Sequence, residues 1–121
     1  MYIEKIEWMD KDSREAILKV SNDKRSLMCF CCPCSYNIGD VLNEPLECLD
    51  ADDIVVCETM ESGIEKLEGA FMYRLRGKLK DIKAGIIEVY GFDMHIDESK
   101  IPGDVTNEMY VQFVVSRIDI W

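Results

Sequence analysis

The amino-acid sequence predicts an all-β fold, a small barrel of roughly seven to nine short antiparallel strands with at most one short helix. Short segments rich in β-branched and aromatic residues alternate with charged residues, which is the period-two pattern of half-buried strands. Clusters of turn-forming residues separate these segments about every 8 to 12 residues, as in sandwiches and barrels. The length of 121 residues suits one domain, and we expect residues 1–121 to form a single β-barrel-like domain.

The N-terminal segments predict a strand followed by a hairpin. Residues 2–8 are strand-like and are followed by a polar turn. Residues 16–20 form an apolar strand, and the turn at residues 21–24 leads into residues 26–32, so these two strands are expected to pair antiparallel. Pro33 has no amide hydrogen for the sheet and therefore ends the strand.

The middle of the chain contains two strand patterns and one ambiguous segment. Residues 54–57 are mainly β-branched and follow an Asp-Asp turn, which predicts a strand. In residues 61–68, Ile64 and Leu67 are three apart with acids between them, which predicts one or two helical turns limited by flanking glycines. Residues 71–80 alternate between an apolar face and a cationic face, as a half-buried strand does.

The C-terminal segments predict the remaining strands. Gly91 breaks or bulges the chain between residues 86–90 and residues 92–96, and a glycine kink in a long strand favours a barrel because it creates curvature. Residues 110–120 form the longest β-forming run and predict a central strand. Trp121 then either packs across a two-fold axis or closes the core, and the sequence leaves both open.

The order of these elements resembles that of OB-fold barrels. The short helix predicted between residues 54–57 and residues 71–79 stands where OB-folds carry a helix between their third and fourth strands. The resemblance covers the approximate fold and no binding motif. It implies a curved sheet whose concave surface contacts a ligand.

The net charge of −10 is concentrated in one part of the chain. Residues 40–68 hold ten acids and one base, Lys66, a local net charge of −9. Such a field repels nucleic acid and anionic membranes and attracts basic proteins, although a simple gain in solubility also explains it. The acidic residues that we select as candidates for binding a basic protein partner are Asp50, Asp52, Asp53, Glu58 and Glu61.

This distribution of charge indicates a non-enzymatic protein-interaction domain. In size and charge the chain resembles the small acidic bacterial immunity proteins that neutralise nucleic-acid-cutting toxins. That resemblance is one of composition, and no motif carries it.

The cationic face of residues 71–80 supports an alternative function. At period two it presents the side chains of Arg74, Arg76, Lys78 and Lys80. In an OB-like module this face would bind nucleic acid or another anionic ligand. The acidity of the whole chain and the scarcity of aromatic residues on this face argue against nucleic acid. A charged face that prevents sheet edges from pairing explains the pattern without a ligand.

The cysteines suggest a second alternative, a zinc-binding protein. Four thiolates suit zinc, and the weak candidates for its ligands are Cys31, Cys34, Cys48 and Cys57. However, eight residues separate Cys48 from Cys57, and free cysteine commonly packs as a small apolar side chain. We therefore expect buried thiols, no metal and no cofactor.

The sequence offers no catalytic motif. His95 has Asp93 and Asp97 two residues away on its own face, but no nucleophile motif accompanies them. We expect an ordinary surface histidine and no enzyme activity. The N-terminus does not resemble a signal peptide and no apolar run approaches about 20 residues, so the expected location is the cytoplasm, where thiols stay reduced.

Overall fold

The computed structural model describes residues 1–69 and 71–120, and its fold is all-β, as predicted. In chain order the strands are β1 (Tyr2–Asp10), β2 (Glu15–Ser21), β3 (Ser26–Cys31), β4 (Leu46–Leu49), β5 (Asp52–Cys57), β6 (Gly63–Lys66), β7 (Tyr73–Asp81), β8 (Ile86–Val89), β9 (Phe92–His95), β10 (Tyr110–Val115) and β11 (Arg117–Asp119). The only helix within the described ranges is one 3-10 turn at Glu98–Lys100, and none there is long and apolar enough to cross a membrane.

The strands belong to one open sheet in the order β1-β2-β3-β11-β4-β9-β8-β7-β10-β5, and β6 pairs with β7 beside β8. The structure has eleven strands, more than the predicted seven to nine. Short strands such as β6 and β11 escape a prediction from sequence because they have too few residues to show the period-two pattern. The prediction of purely antiparallel pairing was also wrong, since β3 with β11 and β4 with β9 are parallel pairs.

The predicted helical turn at residues 61–68 is the strand β6 instead. Ile64 pairs with Leu75, and Glu65 pairs with Arg74, to which it also forms a 2.6 Å ion pair. The apolar spacing of Ile64 and Leu67 fits both structures over so short a segment. Pairing with β7 decides between them, because it buries Ile64 in part and provides backbone partners that one helical turn lacks.

The predicted central strand at residues 110–120 is divided at Ser116. The Ser116 amide donates to the carbonyl of Leu49 at 3.0 Å, and its hydroxyl donates to Asp50 Oδ2 at 2.9 Å. These bonds end β10 and start β11 in another part of the sheet. Only β11 is central, whereas β10 lies next to the terminal strand β5. Trp121 lies outside the described residues.

Gly91 breaks the chain between two strands, which is one of the two predicted outcomes, and does not kink a strand. Tyr90 and Gly91 have φ values of +47° and +85° and form the turn between β8 and β9. Two successive positive φ values suit a tight two-residue hairpin, in which glycine is favoured. The curvature inferred from a glycine inside a strand therefore does not arise at this position.

One face of the sheet supplies a single hydrophobic core. Alternate residues of β7, including Tyr73, Leu75 and Leu79, are buried, which confirms the predicted two-faced strand. The Met28 amide donates to the Tyr73 hydroxyl at 3.0 Å, although four strands separate β3 from β7 in the sheet. The sheet therefore curls until its two halves meet around the core.

Gly77 of β7 packs tightly against the backbone and side chains of β8. A methyl group there would overlap the carbonyl oxygen of Glu88 and lie 2.7 Å from Val89 Cγ2. We predict that Gly77→Ala lowers the free energy of unfolding by about 3 kcal/mol, because an overpacked backbone must shift. Urea denaturation followed by circular dichroism measures this loss. Gly103→Ala is the control: its new methyl meets nothing within 4 Å, and it should change stability by less than about 0.5 kcal/mol. Equal stability of the two variants would contradict the prediction.

Candidate functional site

Strand β5 is one of the two terminal strands of the sheet, opposite β1, and is exposed on both faces. Among the described strands it pairs only with β10, so its outer edge carries unpaired backbone groups. Val55 and Val56, which point to opposite faces, retain 51% and 48% of their exposure. β5 therefore contacts the core only in part, through Ile54, and offers an edge to which another strand can be added.

Three of the predicted acidic residues lie where β5 begins. Asp50 has a φ of +52° in the turn after β4 and accepts the bond from Ser116, so its carboxylate has a structural partner. Asp52 and Asp53 are the first residues of β5 and are both exposed. The Asp53 amide donates to Asp52 Oδ1 at 2.9 Å, which holds that carboxylate beside the strand.

The other two predicted acids lie just beyond the opposite end of β5. Glu58 follows the strand directly, and Glu61 lies in the loop before β6. The Arg76 side chain donates to the Glu61 carbonyl at 2.8 Å, and the Tyr90 amide donates to the Ser62 hydroxyl at 3.1 Å. These bonds hold the loop against the sheet, so acids occupy both ends of one exposed strand.

An apolar groove of about 330 Å³ adjoins the C-terminal end of β5. Val56, Met60 and Met109 supply its apolar lining, and Met60 keeps 74% of its exposure. Glu58 and Glu108 also line this groove. We use the name acidic edge for β5, its five flanking or included acids and this groove. Flexible methionines beside carboxylates suit a partner that carries both aliphatic and basic side chains.

The predicted cationic face exists, but acids from neighbouring strands and loops occupy it. The contacts are Arg74 Nη1 to Glu65 Oε1 at 2.6 Å, Lys78 Nζ to Glu108 Oε2 at 3.4 Å, and Lys80 Nζ to Asp93 Oδ1 at 3.2 Å and to Glu88 Oε2 at 3.8 Å. Arg76 donates to the Glu61 carbonyl, as described above. Hydrogen bonding to Asp93 raises the pKa of the Lys80 ammonium. An anionic ligand would have to displace these carboxylates, so the geometry gives the anion-binding alternative little support.

The four cysteines considered for zinc do not come together. Cys31 and Cys34 are in contact, Cys48 is close enough to Cys29 to raise its pKa, and Cys57 is on the acidic edge. Within residues 1–69 and 71–120, no three His, Cys, Asp or Glu side chains form a group suited to a metal. All six cysteines are unpaired in the structure; Cys29, Cys31, Cys34 and Cys48 are buried, whereas Cys57 is half-buried and Cys32 is exposed. Burial and the neighbouring Cys34 raise the pKa of Cys31 to about 12, which disfavours the thiolate that zinc requires.

His95 has a carboxylate partner that the sequence analysis did not identify. Its Nδ1 lies 2.8 Å from Glu47 Oε2, because β4 and β9 run in parallel with these two residues in register. The two expected neighbours have other partners: Asp93 binds Lys80, and Asp97 accepts bonds from Ser99. No local pattern marks the pair, since the residues are 48 positions apart.

The acidic edge therefore combines acids that the sequence indicated with apolar residues that it did not. Val56, Met60 and Met109 carry no motif, and their exposure is visible only once the strand order is known. Comparison of the chain with protein families, curated proteins and solved structures found no match.

The burial of the thiols predicts an order of alkylation. Iodoacetamide at mildly alkaline pH should modify exposed Cys32 first in the folded protein. Cys29, Cys31 and Cys48 should react only after unfolding, because burial raises their pKa values and blocks the reagent. Peptide mass spectrometry after timed quenching measures the order, and a urea-unfolded sample in which all six cysteines react is the control. Early labelling of Cys29 or Cys48 in the folded protein would contradict the prediction.

Proposed function

We propose that this chain is a non-enzymatic interaction domain that binds a basic segment of a partner protein along its acidic edge. One observation carries the proposal: the exposed edge of β5 has acids at both ends and an apolar groove beside it. An extended segment can pair with such an edge through its backbone while its side chains select the site. Lysine or arginine side chains would then lie near Asp52, Asp53 and Glu58.

The acids also explain why β5 favours a basic partner over a second copy of itself. An edge strand exposed on both faces tends to pair with other strands, and charged side chains oppose this. Two copies of β5 would bring Asp52, Asp53 and Glu58 of each chain close together, where like charges repel. A basic segment removes that repulsion, and the long-range field of the acidic residues accelerates the encounter.

Two narrower statements belong to the same proposal. The curled sheet is a partly open, OB-like barrel, which the contact between β3 and β7 supports. The partner is a basic toxin and the chain an immunity-type protein of the cytoplasm, which the charge of −10 and the six free thiols support. Binding along β5 does not require either statement.

Charge reversal on the acidic edge tests the electrostatic part of the proposal. We predict that Glu58→Lys/Glu61→Lys weakens binding of a synthetic peptide of alternating lysine and valine by about tenfold at low salt. The control, Glu7→Lys/Glu98→Lys, changes the net charge equally at exposed positions of β1 and the 3-10 helix, and should alter the affinity less than about twofold. Isothermal titration calorimetry measures both affinities.

The same titration identifies outcomes that would overturn the proposal. A peptide of alternating glutamate and valine must not bind, and nuclear magnetic resonance shifts caused by the basic peptide must centre on residues 52–58. An equal loss of affinity in both double variants would show that the net charge of the protein attracts the peptide and that no particular surface binds it. Salt-sensitive binding of a single-stranded oligonucleotide would instead favour the cationic face of β7.

The groove contributes separately from the charges. We predict that Met60→Ser weakens binding of the lysine-valine peptide about fivefold without changing its salt dependence, because it removes apolar area and no charge. Met9→Ser on β1 is the control, since Met9 is also exposed but lies outside the acidic edge. Calorimetry at two salt concentrations measures the effect. An unchanged affinity for Met60→Ser would remove the groove from the binding surface.

A further inference from the structure

A second cavity, of about 400 Å³, lies on a different part of the molecule. The loop between β3 and β4 forms one wall, and the start of β4 and the end of the described chain form the other. Its apolar lining consists of the exposed Val41, the half-buried Tyr36 and Pro45, and the edges of the buried Leu42, Leu46 and Ile120. A cavity of this size with an apolar wall is typical of sites for small organic molecules.

The loop wall is held in place by backbone hydrogen bonds to β1. The Ile3 amide donates to the Asp40 carbonyl at 2.9 Å, the Gly39 amide donates to the Ile3 carbonyl at 2.7 Å, and the Leu42 amide donates to the Met1 carbonyl at 2.9 Å. Tyr2 and Val41 add an antiparallel bridge. The wall therefore exists before any ligand arrives, which lowers the entropic cost of binding.

The polar lining of this cavity is acidic. Glu44 and Glu47 contribute carboxylates and Asn43 an amide, whereas no lysine or arginine is among the lining residues. The contact between His95 Nδ1 and Glu47 Oε2 at 2.8 Å restrains the Glu47 side chain. Two carboxylates beside an apolar wall suit a ligand that has a cationic head and an apolar body.

The environment of Tyr36 supports this assignment of charge. Burial raises the pKa of the Tyr36 hydroxyl, and the neighbouring Cys31, Cys34, Asp40 and Glu44 raise it further. Two of these neighbours, Asp40 and Glu44, are carboxylates, so the electrostatic potential inside the cavity is unfavourable to an anion.

We propose that this cavity binds a small organic ammonium ion. The ammonium group lies between Glu44 and Glu47, and the hydrocarbon body packs against the accessible apolar side chains of Tyr36, Val41 and Pro45. The site shares no lining residue with the groove of the acidic edge, so either proposal can fail alone.

The probe is n-hexylammonium chloride, with hexanol and sodium hexanoate as neutral and anionic controls of the same length. In nitrogen-15 correlation spectra, hexylammonium should cause saturable shifts of the amides of Leu42, Leu46 and Ile120. Its affinity should exceed that of hexanol by at least about fivefold, and hexanoate should not saturate. Equal affinities for the three probes, or shifts spread over the whole sheet, would overturn the proposal.

Variants locate the cation. Glu47→Gln should weaken hexylammonium binding about fivefold and leave hexanol binding unchanged. Glu44→Gln should act in the same direction and changes only an exposed side chain, so it also tests the site if Glu47→Gln fails to fold. Glu68→Gln removes the same charge outside the cavity and should leave the affinity within about twofold of the original. Equal effects of Glu44→Gln and Glu68→Gln would show that the carboxylates of the cavity do not hold the ammonium.

Discussion

The sheet depends on strand β11, because this short strand joins the N-terminal strands β1 to β3 to the rest of the molecule. Within β11, Arg117 donates to both carboxylate oxygens of Asp119, at 2.6 and 2.8 Å, and its guanidinium lies 4.1 Å from the centre of the Phe30 ring on β3. Asp119 is only 3% exposed, so it requires this bidentate partner. Loss of Arg117 would leave the buried Asp119 carboxylate without its bidentate partner at the junction between the two halves of the sheet.

The break at Ser116 makes the arrangement possible and also creates the acidic edge. An unbroken strand would continue beside β7, whereas the bonds from Ser116 to Leu49 and Asp50 redirect the chain into the gap between β3 and β4. β10 therefore remains outside this gap, with β7 on one side and β5 on the other. β5 becomes the end of the sheet, and Asp50, which the sequence marks as acidic surface, also has a structural role at the break.

In this protein, strand pairing decides which charged side chains meet, and their spacing in the sequence does not. The cations of β7 form a regular series in the sequence, yet their partners Glu65, Asp93 and Glu108 come from separate parts of the chain. Most of these pairs are at least one-third exposed, so each contributes at most about 1 kcal/mol to stability. Their larger effect is to neutralise the cationic face, which leaves the acids at the ends of β5 as the unbalanced charge beside an unpaired edge.

The sequence by itself determined the all-β class, the two faces of β7 and the location of the acids along the chain. Each of these follows from composition or from the period of two that a strand imposes on its own residues. The tertiary structure decided that residues 63–66 form a strand, that Ser116 divides the last strand, that β5 is an edge, and that Glu47 meets His95. These features depend on which segments pair, and pairing is set by packing between residues far apart in the chain, so no local pattern records it.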